Sequence, residues 1–418
     1  MTKSRSLAGA DFMANPGARA LLALLNAEGE EARIIGGAVR NTLLGLPVAD
    51  IDICTTATPD VVISRASAAR YKTVPTGIEH GTVTVILDGA PFEVTTLRED
   101  IETDGRRARV RFGRDFEKDA LRRDFTINAL GCDAAGYLHD YCGGLADISA
   151  QRVRFIGDAG QRIAEDYLRI LRFFRFHAAY GAGALDRAGL EACIAGRAGL
   201  ALLSRERVRV ELLKLLAAAR GPEAARGMSE AGLPGLLLGG APYAARLARL
   251  ADIEAAQGEG ADALLRLAAL AVVTTEDARR VTERLRLSNA EAMRLDAMAA
   301  ALLECRSTDG VPPAYGALRE LLFRHGRQGA RDGAMLAQAG SGAPANDTGW
   351  ASALRFLRDT PEPRLPFGGA EIIARGMPAG KAVGDVLKRL QAAWIRAGFP
   401  HDPATLARLL DDAMEGPG

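Results

Sequence analysis

Residues 33–59 read RIIGGAVRNTLLGLPVADIDICTTATP. Ile34 and Ile35 form a short apolar run that ends in Gly36-Gly37; Arg40 follows, then an apolar helical turn closing on Gly45. After Pro47 come two carboxylates, Asp50 and Asp52, interleaved with Ile51 and Ile53. A strand running into Gly-Gly and a helix lets backbone approach a ligand closely and aims helix N-terminal amides at an anion. Arg40 adds a fork of donors suited to phosphate oxygens. A period of two predicts that Asp50 and Asp52 share one strand face. Side-by-side carboxylates repel unless a cation sits between them, and an oxygen-rich site suits Mg²⁺. Alone, the Gly-Gly turn reads as a loop and the Asp-x-Asp as a solvated edge. Together and in this order, a phosphate cradle beside a divalent-metal site points to nucleotidyl transfer.

The chain has 418 residues, enough for two or more domains, and its 48% hydrophobic and 25% charged content is ordinary for a globular protein. A net charge of +1 does not mark a nucleic-acid binder, so any RNA affinity must come from local Arg clusters. The five cysteines are scattered without a Cys-x-x-Cys pair, which indicates neither a disulfide framework nor a structural zinc site. With no signal-peptide pattern and no apolar run of membrane-spanning length, the expectation is a cytoplasmic protein with no membrane association and no protein partner indicated.

Outward from the opening stretch, Pro16 to Ala27 has helical spacing with Asn15 as a cap, and Thr58-Pro59-Asp60 opens a helix over 61–69. Strands are expected over 71–74, 81–87 and 91–97, with Asp88-Gly89 as a hairpin turn. Glu93 either supplies a third carboxylate to the metal site or faces solvent. Residues 99–118 are densely charged without a stable period and read as a mobile loop, or as a lid beside an active site.

In DALRRDFTINA (119–129), Arg122, Arg123 and Asp124 form a set able to bind a triphosphate and a ribose hydroxyl, or else a surface salt bridge. The turn-rich GYLHDYCGGLADI (136–148) reads as a hinge. From about residue 156 the pattern is helical almost throughout. Within AEDYLRILRFFRFH (164–177), Asp166, Arg169 and Arg172 fall at i, i+3 and i+6, with Arg175 a turn further, as one polar stripe on a helix. A carboxylate and a guanidinium one turn apart can match the Watson–Crick edge of a base, accepting the exocyclic amine of C or A and rejecting the carbonyl of G or U. A plain amphipathic helix with exposed salt bridges gives a similar pattern. LSRERVRVELLKLL (203–216), with Ser204, Arg207 and Glu211, reads as scaffold.

These stretches, in this order over roughly residues 30–220, resemble the class II branch of the nucleotidyltransferase superfamily: bacterial CCA-adding tRNA nucleotidyltransferases and the related bacterial poly(A) polymerases. The resemblance implies an α+β fold: an N-terminal nucleotidyltransferase head (1–137) with a small mixed sheet, then an all-α hinge and neck (138–220), body (221–310) and tail (311–418), the tail binding tRNA. It implies that Gly36, Gly37 and Arg40 contact the triphosphate and that Asp50 and Asp52 are catalytic and hold Mg²⁺, with Glu93 as a loose third. Arg122 and Arg123 would meet the nucleotide phosphates, with Asp124 near the ribose. Asp166 and Arg169 would read the base, while Arg172 and Arg175 contact phosphate or support their helix. The implied reaction is template-independent addition of C, C and A from CTP and ATP to the tRNA 3′ end, releasing pyrophosphate. Poly(A) polymerases of this type carry a Gly-Arg-Arg-Phe-like stretch where this chain has VPTGIEHGTVTV (74–85) and end in a basic tail where this chain ends acidic, so tRNA is favoured. The long 99–118 segment favours full CCA addition over CC addition. It does not separate A-only enzymes, and a silent RNA-binding protein on the same head is the non-enzymatic alternative.

Overall fold

The computed structural model describes residues 6–104, 107–307 and 309–415, and within 99–110 the backbone alone. The chain divides into two compact units, Met1–Leu237 and Leu238–Gly418.

In the first unit α1 (Asp11–Ala14) and α2 (Pro16–Leu25) precede a mixed sheet. Pro16 opens α2, and the Asn15 side chain caps it by accepting from the Ala18 amide at 3.0 Å. The strands are β1 (Ala32–Ile35), β2 (Asp52–Thr55), β3 (Lys72–Gly77), β4 (Thr82–Leu87), β5 (Ala90–Thr96), β6 (Arg98–Asp104), β7 (Arg107–Phe112), β8 (Gly131–Cys132) and β9 (Leu138–His139). Seven of them form one sheet in the order β3-β4-β5-β2-β1-β8-β9, antiparallel except for β2 beside β5. The β4–β5 turn uses Asp88 and Gly89 at φ 48° and 82°, the left-handed pair that a two-residue hairpin needs. Ile34, Ile53, Val83, Val85 and Val94 are buried along the sheet, which α4 (Pro59–Ala68) covers over β3–β5. Burying side chains of this size contributes about 1.5–3 kcal/mol each, so the sheet is a firm platform for what its strand ends carry.

Residues 98–112 depart from the expected loop. β6 and β7 form an antiparallel two-stranded ribbon of their own, with Asp104 opposite Arg107. The segment hid from periodicity because charged residues occupy both strands heavily. The alternation Arg107-Ala108-Arg109-Val110-Arg111-Phe112 is nonetheless a strand pattern.

After α5 (Phe116–Leu121) the chain crosses β8 and β9 into α6 (Gly144–Ser149), α7 (Ala159–Glu165), α8 (Leu168–Tyr180), α9 (Arg187–Gly196), α10 (Arg205–Ala217) and α11 (Gly221–Glu230). The turn at 136–148, read as a hinge, is tied by side-chain bonds. The Asp140 carboxylate accepts from the amides of Cys142, Gly144 and Leu145 at 2.9–3.1 Å. The fully buried Asp147 accepts from Thr126, Arg152 and Arg154. A Cβ on Gly144 would sit 2.4 Å from the Thr126 carbonyl oxygen, so that approach admits only glycine. Phe125 packs against Phe155 and Phe176 with ring centroids 4.8 and 5.2 Å apart, and Phe155 stacks on Phe173 at 5.4 Å. This aromatic cluster joins α8 to the segment carrying Arg122–Asp124, each pair adding roughly 0.5–1.5 kcal/mol beyond burial.

The second unit is helical among its described residues. Helices Thr275–Leu285 and Asn289–Cys305 both start with capping boxes, Thr274 with Asp277 and Ser288 with Glu291. The helix Tyr315–Ser341 kinks at Gly326, where φ is 65°. Trp394, fully buried, centres a small C-terminal core with Ile372, Leu390, Phe399 and Leu410.

Candidate active site

The edge of the sheet where β1 ends and β2 and β5 begin gathers the acids. Asp52 is the first residue of β2 and pairs in register with Glu93 of parallel β5. Asp50 lies two residues before β2, in irregular backbone rather than on the strand as expected. Among the described residues no hydrogen bond reaches the carboxylates of Asp50, Asp52 or Glu93, whereas Asp119, Asp124, Asp140 and Asp147 nearby are all bonded. Burial, followed by the Glu93 and Asp50 carboxylates, pushes the Asp52 carboxyl above the usual range, against a smaller opposing pull from Arg123. Unpaired, mutually repelling carboxylates at one sheet edge suit a hard divalent cation. Among the described residues no three acidic, His or Cys side chains converge into a protein-only cage. A cation held here would therefore complete its shell with phosphate oxygens and water, as Mg²⁺ commonly does.

Gly36 carries β1 into α3 (Gly37–Leu43) at φ 65° and ψ −116°, a conformation strained for any residue with a Cβ. Its amide donates to the Leu130 carbonyl at 3.0 Å, fixing the turn beside the acids. The Arg123 Nη1 lies 3.9 Å from where a Gly36 Cβ would stand, so Arg123 lies beside the Gly-Gly turn. Arg122 and Arg123 share the buried carboxylate of Asp119. Arg122 Nε donates to Oδ1 at 2.9 Å and Arg123 Nη2 to Oδ2 at 2.9 Å. Burial works to raise the Asp119 carboxyl, but Arg123 and Arg122 outweigh it and hold it low. Asp119 thus fixes two guanidinium groups side by side, with Arg123 beside the turn.

Arg40 and Asp124 are held by internal partners, although Arg40 Nη2 lies 3.8 Å from where a Gly37 Cβ would stand. The buried Arg40 donates to Asn128 Oδ1 at 2.5 Å, to Asn41 Oδ1 at 2.8 and 3.1 Å and to the Tyr180 hydroxyl at 2.8 Å, and it stacks over the Tyr180 ring at 3.9 Å. Asp124 accepts from Arg172 Nε at 2.7 Å and Nη2 at 2.6 Å, from Asn128 at 3.2 Å and from the Phe125 amide at 2.9 Å. Both tie the strand-and-turn apparatus to α8. A contact from either to a phosphate or ribose would compete with internal partners.

The expected single helix over 164–177 is two. α7 stops at Glu165, Asp166 is extended at φ −157° and ψ 107°, and α8 starts at Leu168. Asp166 therefore sits in the break and not on a helical stripe. Its Oδ1 accepts from the Leu168 amide at 3.1 Å, and its Oδ2 accepts from Arg207 Nη2 of α10 at 2.6 Å. Arg169 donates through Nη1 to Glu165 and to the Arg162 carbonyl, leaving Nε and Nη2 without a partner among the described residues. Arg172 and Arg175 converge on the buried Glu211 of α10, the latter at 2.5 Å, and Arg175 lies over the Phe176 ring at 4.1 Å. α10, read as scaffold with Arg207 and Glu211 on it, carries Arg207 to Asp166 and Glu211 to Arg172 and Arg175. Asp119, Asn128, Glu165 and Tyr180 were missed. The i, i+3 and i, i+4 spacings of Asp119 to its two Arg, and of Glu165 to Arg169, were the available signal.

Residues 32–154 match the family described as the Poly A polymerase head domain. The chain is 30% identical to the crystal structure of the Bacillus stearothermophilus CCA-adding enzyme in complex with CTP, covering 94% of this chain and 96% of that one with a TM-score of 0.75. The chain belongs to the CCA-adding enzyme family of class II nucleotidyltransferases. Among curated relatives it is 47% identical over 206 residues to the mitochondrial CCA tRNA nucleotidyltransferase 1 of Mus musculus, 48% of this chain and 47% of the relative. It is 42% identical over 218 residues to the CCA-adding enzyme of Geobacillus thermodenitrificans, 51% and 52%. The matched segment thus spans about half the length of these relatives. A Thermotoga maritima CCA-adding enzyme complexed with tRNA_CCA shares the fold at 20% identity and a TM-score of 0.70. Among the described residues no helix is long and apolar enough to cross a membrane.

Proposed function

We propose that this chain adds C, C and A to the 3′ end of tRNA, taking CTP and ATP and releasing pyrophosphate. The observation that carries this reading is the unpaired acid set Asp50, Asp52 and Glu93 beside the Gly36-Gly37 turn and Arg123, in a family whose members bear that activity in their names. The tRNA 3′-hydroxyl oxygen attacks the α-phosphorus as its proton passes to water; the O3′–P bond forms, the P–O bond to the β-phosphate breaks, and pyrophosphate carries away the electron pair. Asp50 and Asp52 would hold Mg²⁺, with Glu93 beside them. Such a cation supplies charge neutralisation at the attacking and leaving oxygens. Arg122 and Arg123, aligned by Asp119, would meet the triphosphate, while Asp166 and Arg169 would read the base. Arg40, Asp124 and Arg172 fit positioning roles, since their polar atoms already hold α8 against the head, and Arg175 ties α8 to α10 through Glu211.

In this reading residues 1–137 are the catalytic head, 138–220 the neck, 221–310 the body and 311–418 the tRNA-binding tail, and the protein acts in the cytoplasm. The Poly A polymerase match over the head keeps unbounded A addition as the second reading. Asp52→Ala tests the metal assignment: it should keep the folded structure and tRNA binding while incorporation is abolished. Normal turnover by that variant would overturn the assignment.

A further inference from the structure

The base-reading pair is held from behind by two separate partners. Asp166 lies in the break between α7 and α8, where no run of helical backbone bonds fixes its direction. Its carboxylate is oriented by the Leu168 amide on one oxygen and by Arg207 on the other, at 3.1 and 2.6 Å. Arg207 comes from α10, 41 residues away in sequence. Arg169 is fixed separately, by Glu165 and the Arg162 carbonyl through Nη1 alone.

We propose that Arg207 is a specificity-determining positioning residue, which fixes the direction in which Asp166 accepts and so decides which base edge is admitted. This inference rests on the proposed activity. An ionised carboxylate offers about four acceptor sites. Leu168 and Arg207 use two, leaving the others directed by those bonds. Cytosine and adenine present an exocyclic amine to such an acceptor and a ring nitrogen to the unused Arg169 donors. Uracil and guanine present a carbonyl to the acceptor and a ring N–H to the donor, so both contacts oppose like with like. That rejection is strong only while the acceptor cannot turn away, because an unpaired buried polar group is what penalises the wrong base. Without Arg207 the carboxylate keeps one local bond and can rotate, letting water or a turned oxygen relieve the mismatch. Both Arg207 and Asp166 are half-buried, with side-chain exposures of 26% and 22%, consistent with a pair reached by substrate yet held by protein.

The test compares parent, Arg207→Met, Arg207→Gln and, as a surface control, Arg187→Ala, whose partner Glu191 lies exposed on α9. The readout is kcat/KM for CTP against UTP and for ATP against GTP on tRNA lacking the corresponding 3′ residues. R207M and R207Q should lose discrimination by roughly ten- to a hundred-fold, the effect of a small misplacement of a positioned group, while R187A keeps it. An unchanged ratio, or an equal loss with all four nucleotides, overturns the role. R207Q keeps the test intact if R207M does not fold. A parent that adds neither C nor A overturns the activity and this inference with it. A parent that adds both, beside an R207M or R207Q that still discriminates, overturns the role of Arg207 alone.

Discussion

Replacing Arg172 by Met isolates the strut between α8 and the head. In the folded chain Asp124 Oδ2 accepts two charge-assisted bonds from Arg172, at 2.7 and 2.6 Å, and Oδ1 takes only neutral donors, Asn128 and the Phe125 amide. Removing one partner of a fully buried ion pair costs about 3–5 kcal/mol, because the other charge stays buried unpaired. The Arg172 side chain is 31% exposed and Asp124 10%, so water screens part of the loss and about 2–3 kcal/mol is expected. For a unit the size of Met1–Leu237 each kcal/mol moves the midpoint by roughly 2–4 °C, giving a fall of about 4–12 °C. The loss also depends on pH. Burial works to raise the Asp124 carboxyl, but Arg172, with bonds from Asn128 and the Phe125 amide, holds it below the usual range. A carboxyl depressed in the folded state adds stability that is full above its unfolded value and is lost as pH falls through the folded one. The gap between parent and R172M should therefore be full at pH 7 and narrow below about pH 4. Denaturant titration of both proteins at pH 7 and at pH 3.5 reads it directly. An R172M as stable as the parent at pH 7, or a gap that widens in acid, would refute the strut.

The remaining expectations concern the acids and the base reader. Because the Asp52 carboxyl is raised, its ionised form is a destabilising presence at neutral pH, and Asp52→Asn should melt at a higher temperature than the parent in a chelator, by calorimetry; a lower midpoint would contradict the repulsion. Mg²⁺ at ten times its Kd should stabilise the parent by about 1.4 kcal/mol and leave Asp52→Asn unmoved; equal shifts in both would place the cation elsewhere. Asp166→Ala should keep chemistry and lose discrimination, so a variant that rejects UTP and GTP as well as the parent would remove Asp166 from base reading.

The head was legible because its signals are local. The Gly-Gly turn, the acids within three residues and the Arg pair sit on spacings that one strand or one turn fixes, and the sheet followed from alternation over 81–97. What was not legible depended on partners far along the chain. Nothing in AEDYLRILRFF marks a break, since no Gly or Pro interrupts it. The break stands with an Asp166 side chain that turns to the Leu168 amide and to Arg207, 41 residues on. Asp124 reads as a ligand beside two Arg until Arg172, 48 residues later, closes on it, and Glu211 reads as a helix-surface acid until Arg175 reaches it from 36 residues away. The β6–β7 ribbon was missed for another reason: dense charge across β6 obscured the alternation that β7 keeps through Ala108, Val110 and Phe112.

The measurement that bears most directly on the whole account is an extension assay. Purified chain and Mg²⁺ are given a tRNA lacking its 3′ end, with CTP alone, ATP alone, or both. The account predicts three added nucleotides when both are present, and a stop there. Addition of CC alone, of A alone or of an unbounded A tail would contradict it in favour of a relative with that activity, and no incorporation with any mixture would contradict nucleotidyl transfer itself.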